Sequence, residues 1–293
     1  MPTRKIHPDP GRTIAGLAIA GLAVVLSACS TPGGGRYSQR HDSAPDKHVD
    51  VSRVADATPR VEPKSRYGNP ASYVVRGKRY HTLDSSEGYR ERGIASWYGT
   101  KFHGHRTSSG ESYDMYKMTA AHKTLPLPTY ARVTNLRNGK SVIVKINDRG
   151  PFHDNRLIDL SYAAANRLGI LGKGTGLVEV EAINPDQSVQ HAPRARRLAS
   201  TPKVAAPAPA ARTTEPMLYL QVGAFLSRSN AERLKRRLAT TTSSEKLHIS
   251  EGVSDQHRVY RVRIGPLESI ERADSLAQSL HQHGVESPRV VID

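Results

Sequence analysis

Apolar residues first gather at Ile14–Leu26, a run that no charge interrupts and that Arg4, Lys5 and Arg12 precede. It is too short to span a bilayer core comfortably, and a basic lead before a short apolar run is the layout of a secretory signal peptide. A buried helix is the competing reading, and the terminal position argues against it. From 29 to 87 no period of 2 or 3.6 is sustained among Ser, Gly, Pro and charged residues, which predicts a disordered tether with a root-mean-square span of roughly 40–45 Å. Within it, Tyr73–Tyr80 has the pattern of a short strand that docks on the next domain.

The pattern changes at residue 88. Ile94–Tyr98, Tyr130–Asn135, Ser141–Ile146 and Leu177–Ile183 read as strands, and Asn138-Gly139 between the second and third is a hairpin signal. Tyr162–Leu168 reads as a helix with Ser161 as N-cap and Gly169 just beyond its end. Many short strands with one helix over 88–184 predict a small barrel. Residues 185–213, rich in Pro and Ala, predict a second linker.

Residues 214–293 read β-α-β-β-α-β, a ferredoxin-like order. The strands are Leu218–Ala224, Leu247–Glu251, Arg258–Ile264 and Arg289–Ile292, with Gly265-Pro266 ending the third. The helices are one opened by a capping box at Ser229-Asn-Ala-Glu232 and one over Ser269–His283. Alternation places Leu218, Leu220, Val222 and Ala224 against the helices. It leaves Tyr219, Gln221 and Gly223 outward, with Arg261 and Arg263 beside them on the neighbouring strand.

A formal net charge of +16 would suit nucleic acid, a membrane surface or an acidic polymer. The export signal removes nucleic acid as a partner. The chain's one cysteine, Cys29, excludes an intramolecular disulfide.

Chemistry is dense in Gly99–Glu111, Met118–Pro128 and Lys145–Phe152. Asp148 ends an apolar strand just before Arg149-Gly150-Pro151, at a barrel rim, where partial burial suits a general acid. A capping Asp is the commoner use of such a position. Glu111 could pair with Asp148 across a sugar, and a solvated loop glutamate fits its spacing equally. A histidine in a Pro-stiffened loop, as His122 is, more often makes structural hydrogen bonds. His103, His105 and His122 raise the question of zinc, but no His-Glu-x-x-His and no cysteine set accompanies them, so no metal and no cofactor is expected. Gly-x-Ser-x-Gly is absent, which leaves a Ser-His-Asp hydrolase without its signal.

Two resemblances extend this reading. Leu26-Ser27-Ala28-Cys29 resembles the bacterial lipobox, which implies diacylglycerol on Cys29; Ser30 after it implies sorting to the outer membrane, facing the periplasm. Gly93-Ile-Ala-Ser-Trp-Tyr-Gly99, Thr107-Ser-Ser-Gly-Glu111, Thr119–Pro128, Asn147-Asp-Arg-Gly-Pro-Phe152 and Arg156-Leu-Ile-Asp-Leu-Ser161 resemble the rare lipoprotein A family over about residues 88–184. This implies a six-stranded double-psi β-barrel and a lytic transglycosylase. Such an enzyme cuts the β-1,4 bond between N-acetylmuramic acid and N-acetylglucosamine without water, leaving 1,6-anhydro ends. The resemblance implies Asp148 as the acid, with Glu111 and His122 supporting it or managing protons. The alternative is a septal lipoprotein that binds peptidoglycan without cleaving it.

Leu220-Gln-Val-Gly-Ala-Phe225, Asn230-Ala-Glu232 and Tyr260–Pro266 resemble the SPOR domain. That implies binding to denuded glycan, strands without stem peptides, at the division septum, with divisome proteins as further partners. Tyr219, Gln221, Arg261 and Arg263 are then the expected glycan contacts.

Overall fold

The computed structural model describes residues 39, 41–47, 49–185, 216–239, 246–254, 256–285 and 288–293. The export signal, Cys29 and most of the second linker lie outside them.

Six strands close the barrel: β3 (Arg90–Tyr98), β4 (Thr119–His122), β5 (Thr129–Asn135), β6 (Ser141–Asp148), β7 (Arg156–Ser161) and β8 (Gly176–Ile183). Their order around it is β3-β7-β4-β6-β5-β8. The pairs β3–β7 and β4–β6 are parallel, and the other four are antiparallel. The interior is filled by alternate residues, among them Ala131 and Val133, Val142, Val144 and Ile146, and Val178 and Val180. The predicted strands on β3, β5, β6 and β8 are present, and the 136–140 turn closes the β5–β6 hairpin with Gly139 at φ 70°. Helix α1 (Tyr162–Leu168) has the expected caps: Ser161 Oγ accepts from Ala164 N at 3.1 Å, and Gly169 is left-handed.

The tether expected over 29–87 is corrected for its described part. Residues 41–87 form a strap against the barrel. Asp42 accepts from the Gly99 and Lys101 amides at 2.8 and 3.0 Å, and the Ala57 amide donates to Ile143 O. The strap ends in a hairpin, β1 (Ser72–Val75) and β2 (Lys78–His81): the single strand expected over Tyr73–Tyr80 is broken at Arg76-Gly77, both at positive φ, while its docking on the barrel is as expected. Tyr73 Oη donates to Lys123 O at 2.6 Å, and both Tyr73 and Tyr80 pack on Phe152.

The second domain is a four-stranded antiparallel sheet in the order Leu247–Ser254, His257–Leu267, Leu218–Phe225, Arg289–Ile292. Its elements are β9 (Leu218–Phe225), α2 (Arg228–Leu238), β10 (Leu247–Ser254), β11 (His257–Leu267), α3 (Ile270–Gln282) and β12 (Arg289–Ile292), which is the expected ferredoxin-like order. Three local expectations are corrected. Helix α2 starts after Ser227, so Ser229 lies inside its first turn, bonded to Ser227 Oγ at 2.8 Å, and the capping box does not form. Gly265-Pro266 does not end its strand but sits in a register shift between Ile264 and Leu267. A second shift sets Gly223 opposite Val262 and Arg263 opposite Gln221, so the alternation of β9 flips at Val222. Gly223 therefore faces α2, where a Cβ would stand 2.8 Å from Leu234 Cδ2, and Ala224 is exposed.

Candidate functional site

Asp148 ends β6 on the same parity as Val142, Val144 and Ile146, so the strand carries its carboxyl to the barrel mouth. Three donors converge on Oδ1: Ser108 N at 2.7 Å, Ser108 Oγ at 2.6 Å and Arg149 N at 2.7 Å. Among the described residues, no donor bonds Oδ2. The carboxyl is thus fixed by one oxygen and free at the other.

Glu111 reaches the same place from the Thr107–Glu111 turn. Lys145 and Asn147, on the opposite parity of β6, hold it: Lys145 Nζ at 2.8 Å from Oε1 and Asn147 Nδ2 at 2.7 Å from Oε2. Burial alone would raise its carboxyl, and these two donors outweigh burial and hold it below its ordinary value. The strap enters here too, because Glu62 shares Lys145 at 3.0 Å. Against the upward push of burial, donation from Tyr130, Arg60 and Lys145 holds the Glu62 carboxyl at about 2.

His122 does not join this pair. It is 2% exposed, at the end of β4. The Thr124 and Leu125 amides both donate to Nδ1, at 3.2 and 3.1 Å, so the ring proton sits on Nε2 and is given to Tyr89 Oη at 2.9 Å. Tyr89 Oη in turn donates to Glu91 at 2.9 Å. His122 and Lys123 line a cleft of about 750 Å³ bounded also by Arg156, Asp274 and Arg289; neither Asp148 nor Glu111 lines it. Burial first, then Arg149 and Lys123, push the imidazole down to about 3.

The unfolded imidazole takes up a proton near its ordinary 6.5 and the folded one does not, so the folded state loses ground as pH falls from 6.5 toward about 3. Between about pH 6.5 and 5, where carboxylates scarcely titrate, thermal melting of the wild type is expected to fall with pH. In His122→Gln that slope should flatten. Equal slopes in the two chains would sink this account.

Asp159 on β7 was missed by sequence reasoning. Ser96 Oγ donates to its Oδ1, and its Oδ2 lies 3.9 Å from where a Cβ on Gly150 would stand. Burial raises its carboxyl above the ordinary range, partly opposed by Ser96. Its place between two core residues, Ile158 and Leu160, gave no signal, because strand alternation turns it to the opposite face. Near these carboxyls the buried atoms Tyr98 Oη, Thr119 Oγ1 and Asn147 Oδ1 make no well-formed hydrogen bond. Burial, then the charges of Asp148 and Asp159, push the Tyr98 hydroxyl far above its usual value. Orphaned polar atoms of this kind mark a place where water or a ligand group completes the bonding. No group of three or more metal-ligating side chains stands together among the described residues.

On the second domain the expected glycan contacts share one sheet face but are not equally open. Gln221 and Arg261 are half-buried. Arg263 is ion-paired to Asp293 at 2.7 Å and its side chain is 14% exposed. Tyr219 is 9% exposed, edge-on to His248, so its ring is packing rather than an open platform.

A family model described as lytic transglycolase matches residues 90–180, and one described as SPOR domain matches residues 218–288. The endolytic peptidoglycan transglycosylase RlpA of Pseudomonas aeruginosa strain UCBPP-PA14 is 41% identical over 330 aligned positions, covering 95% of this chain and 95% of its own. The protein of that name from Vibrio cholerae is 51% identical over 175 positions, covering 60% of this chain and 66% of its own. Among solved structures, the RlpA SPOR domain from Pseudomonas aeruginosa is 36% identical, covers 25% of this chain and 96% of that one, and gives a TM-score of 0.24.

Proposed function

The chain belongs to the RlpA family of endolytic peptidoglycan transglycosylases, and from that premise we propose that it cleaves the MurNAc-β-1,4-GlcNAc bond of peptidoglycan, preferring denuded strands at the septum. The observation that supports the reading best is the pair Asp148–Glu111, joined through Asn147 and the Ser108 turn at the barrel mouth.

In this reading Asp148 gives its proton to the leaving glycosidic oxygen. The same carboxylate then takes the proton of the substrate's own C6 hydroxyl as that oxygen closes on C1, which yields a 1,6-anhydro end and consumes no water. A second carboxyl at hydrolase spacing is therefore not required. Glu111, held ionised by Lys145 and Asn147, sets the charge beside the cationic transition state. His122, neutral and bonded at both nitrogens, positions the turn after β4 rather than moving protons. No cofactor enters.

The test is mass spectrometry of products released by the full chain from amidase-treated sacculi. Anhydro-MurNAc ends support the reading. Reducing ends would mean a hydrolase, and no product across pH would leave a glycan-binding protein.

Cys29 is proposed as a lipid anchor to the outer membrane, and Gln221, Arg261 and Arg263 as the polar contacts of the second domain with denuded glycan. Fractionation and sacculus binding test both together. Cys29→Ala should move the chain to the soluble periplasmic fraction, and Arg261→Ala should reduce retention on amidase-treated sacculi. Retention that persists in the membrane, or that disappears only with added salt, overturns the corresponding assignment.

A further inference from the structure

The strap brings one more group to the mouth of the barrel. Among the described residues, the exposed large apolar side chains include a single aromatic, Tyr67, at 55% exposure. The chain has few aromatics, and the others described are packed more deeply; a lone exposed ring is ordinary by itself and carries meaning only through a reason for its placement.

Its position supplies one. Gly68, the next residue, runs so close to Ser108 that a Cβ there would stand 2.7 Å from Ser108 O, and Ser108 is the residue whose amide and hydroxyl hold Asp148. The ring itself lies against Gly110, where a Cβ would stand 3.3 Å from Tyr67 Cδ2, and Gly110 immediately precedes Glu111. Tyr67 thus flanks the turn that presents Glu111 and holds Asp148.

The backbone on each side of it is pinned. Ser65 N donates to Leu127 O at 2.8 Å. Asn69 exchanges two hydrogen bonds with Leu127, each 2.8 Å, and Arg149 Nε donates to Gly68 O at 2.8 Å. The side chain of Tyr67 is left to solvent, as is that of Arg66, whose guanidinium lies 5.6 Å from the ring centre. A rigid backbone carrying an open ring is a platform whose ordering cost is met before a ligand arrives.

We propose that Tyr67 forms a saccharide subsite next to Asp148 and Glu111, with its ring stacked on the C–H face of one N-acetylhexosamine of the glycan strand. A pyranose ring turns polarised C–H groups to one face, and these meet the electron-rich face of an aromatic ring. The subsite comes from the strap, outside the residues 90–180 that the family model matches. It rests on the glycan-cleaving reading above for the identity of the ligand.

The experiment uses the full chain and a GlcNAc–MurNAc tetrasaccharide without stem peptides. In an Asp148→Asn background, so that the ligand is not consumed, calorimetry compares Tyr67 with Tyr67→Ala, Tyr67→Leu, Tyr67→Phe and Tyr67→Trp. Saccharide held by the other domain is common to all five and cancels. Tyr67→Ala and Tyr67→Leu are expected to weaken binding about tenfold, the effect of losing one stacked ring. Tyr67→Phe and Tyr67→Trp should stay close to the parent, because the face and not the hydroxyl makes the contact. Leucine fills the same space without a π face, so a simple packing role would spare it.

With Asp148 intact, Tyr67→Ala should raise KM by about the same factor and leave kcat nearly unchanged, the mark of binding lost equally from ground and transition states. Affinity unchanged in Tyr67→Ala, or lost equally in Tyr67→Phe, overturns the subsite. Binding that depends on the ring in a chain that releases no product keeps the subsite and overturns the catalytic reading, so the two failures are distinguishable.

Discussion

Asp148→Asn is expected to lower release of anhydro-MurNAc products by about 10²–10⁴-fold, the usual contribution of a positioned general acid–base group. The amide has the shape of the carboxyl and its oxygen still accepts from Ser108 and Arg149, so the turn that now holds Oδ1 should persist. What is lost is the oxygen that has no donor, the one able to give and take a proton. Melting and binding of the tetrasaccharide should remain near wild type while turnover falls. The comparison that decides the role is Asp159→Asn, because Asp159 is the enclosed carboxyl whose burial favours its protonated form. If Asp159→Asn abolishes products and Asp148→Asn does not, the acid has been assigned to the wrong residue.

Arg149→Met is expected to cost about 3 kcal/mol of stability, from leaving several inward-facing acceptors without a donor. The guanidinium donates to Gly68 O and Leu125 O, to His122 O at 3.2 Å and to Asn69 Oδ1 at 3.2 Å. It therefore ties three segments together: the strap, the turn after β4 and the turn after β6. Methionine keeps the stem and removes every donor. For a unit of this size each kcal/mol moves the melting temperature by about 2–4 °C, so a fall of roughly 6–12 °C should be seen by calorimetry. Lysine should rescue only part of it, since one ammonium cannot span a fork of carbonyls. A melting point within about one degree of wild type in Arg149→Met would refute the clamp.

The parts of this fold that could be read from sequence are those whose cause is local. Ser161 and Gly169 bracket α1 because a side-chain oxygen and a left-handed glycine act within one helical turn. Asn138-Gly139 fixes a hairpin by its own backbone preference. Strand β4 was not legible: all four of its residues are buried, so Thr119-Ala-Ala-His122 shows no alternation, and alanine carries little strand preference. The strap was not legible either, because single polar contacts secure much of it, such as Asp42 on the Gly99 amide and Asn69 on Leu127, and these leave no period in the sequence.

The site divided in the same way. The rim position of Asp148 was legible because an apolar strand ends there in Asp-Arg-Gly-Pro; its proposed role as the acid came from the family resemblance, since spacing alone favoured a capping group. Glu111 reaches it through Lys145 and Asn147, whose role no spacing rule marks. The competing structural reading of His122, a loop histidine making hydrogen bonds, is what its two backbone donors and Tyr89 support. Asp159 alternates with Ile158 and Leu160 and so reads as solvent-facing; the preceding turn through Gly150 and, from a distant part of the chain, Ser96 of β3 enclose it.

The strap also changes the geometry of reach. A chain free from residue 29 to residue 88 could extend roughly 200 Å at 3.3–3.6 Å per residue. With Asp42 fastened to the Gly99–Lys101 turn, the chain between residues 29 and 42 can span at most roughly 45 Å. A barrel held by an anchor at residue 29 is therefore on a short leash. With the lipid anchor proposed at Cys29, the barrel would work within a shell close to the surface that holds it, and strands deeper than that shell would have to come to it.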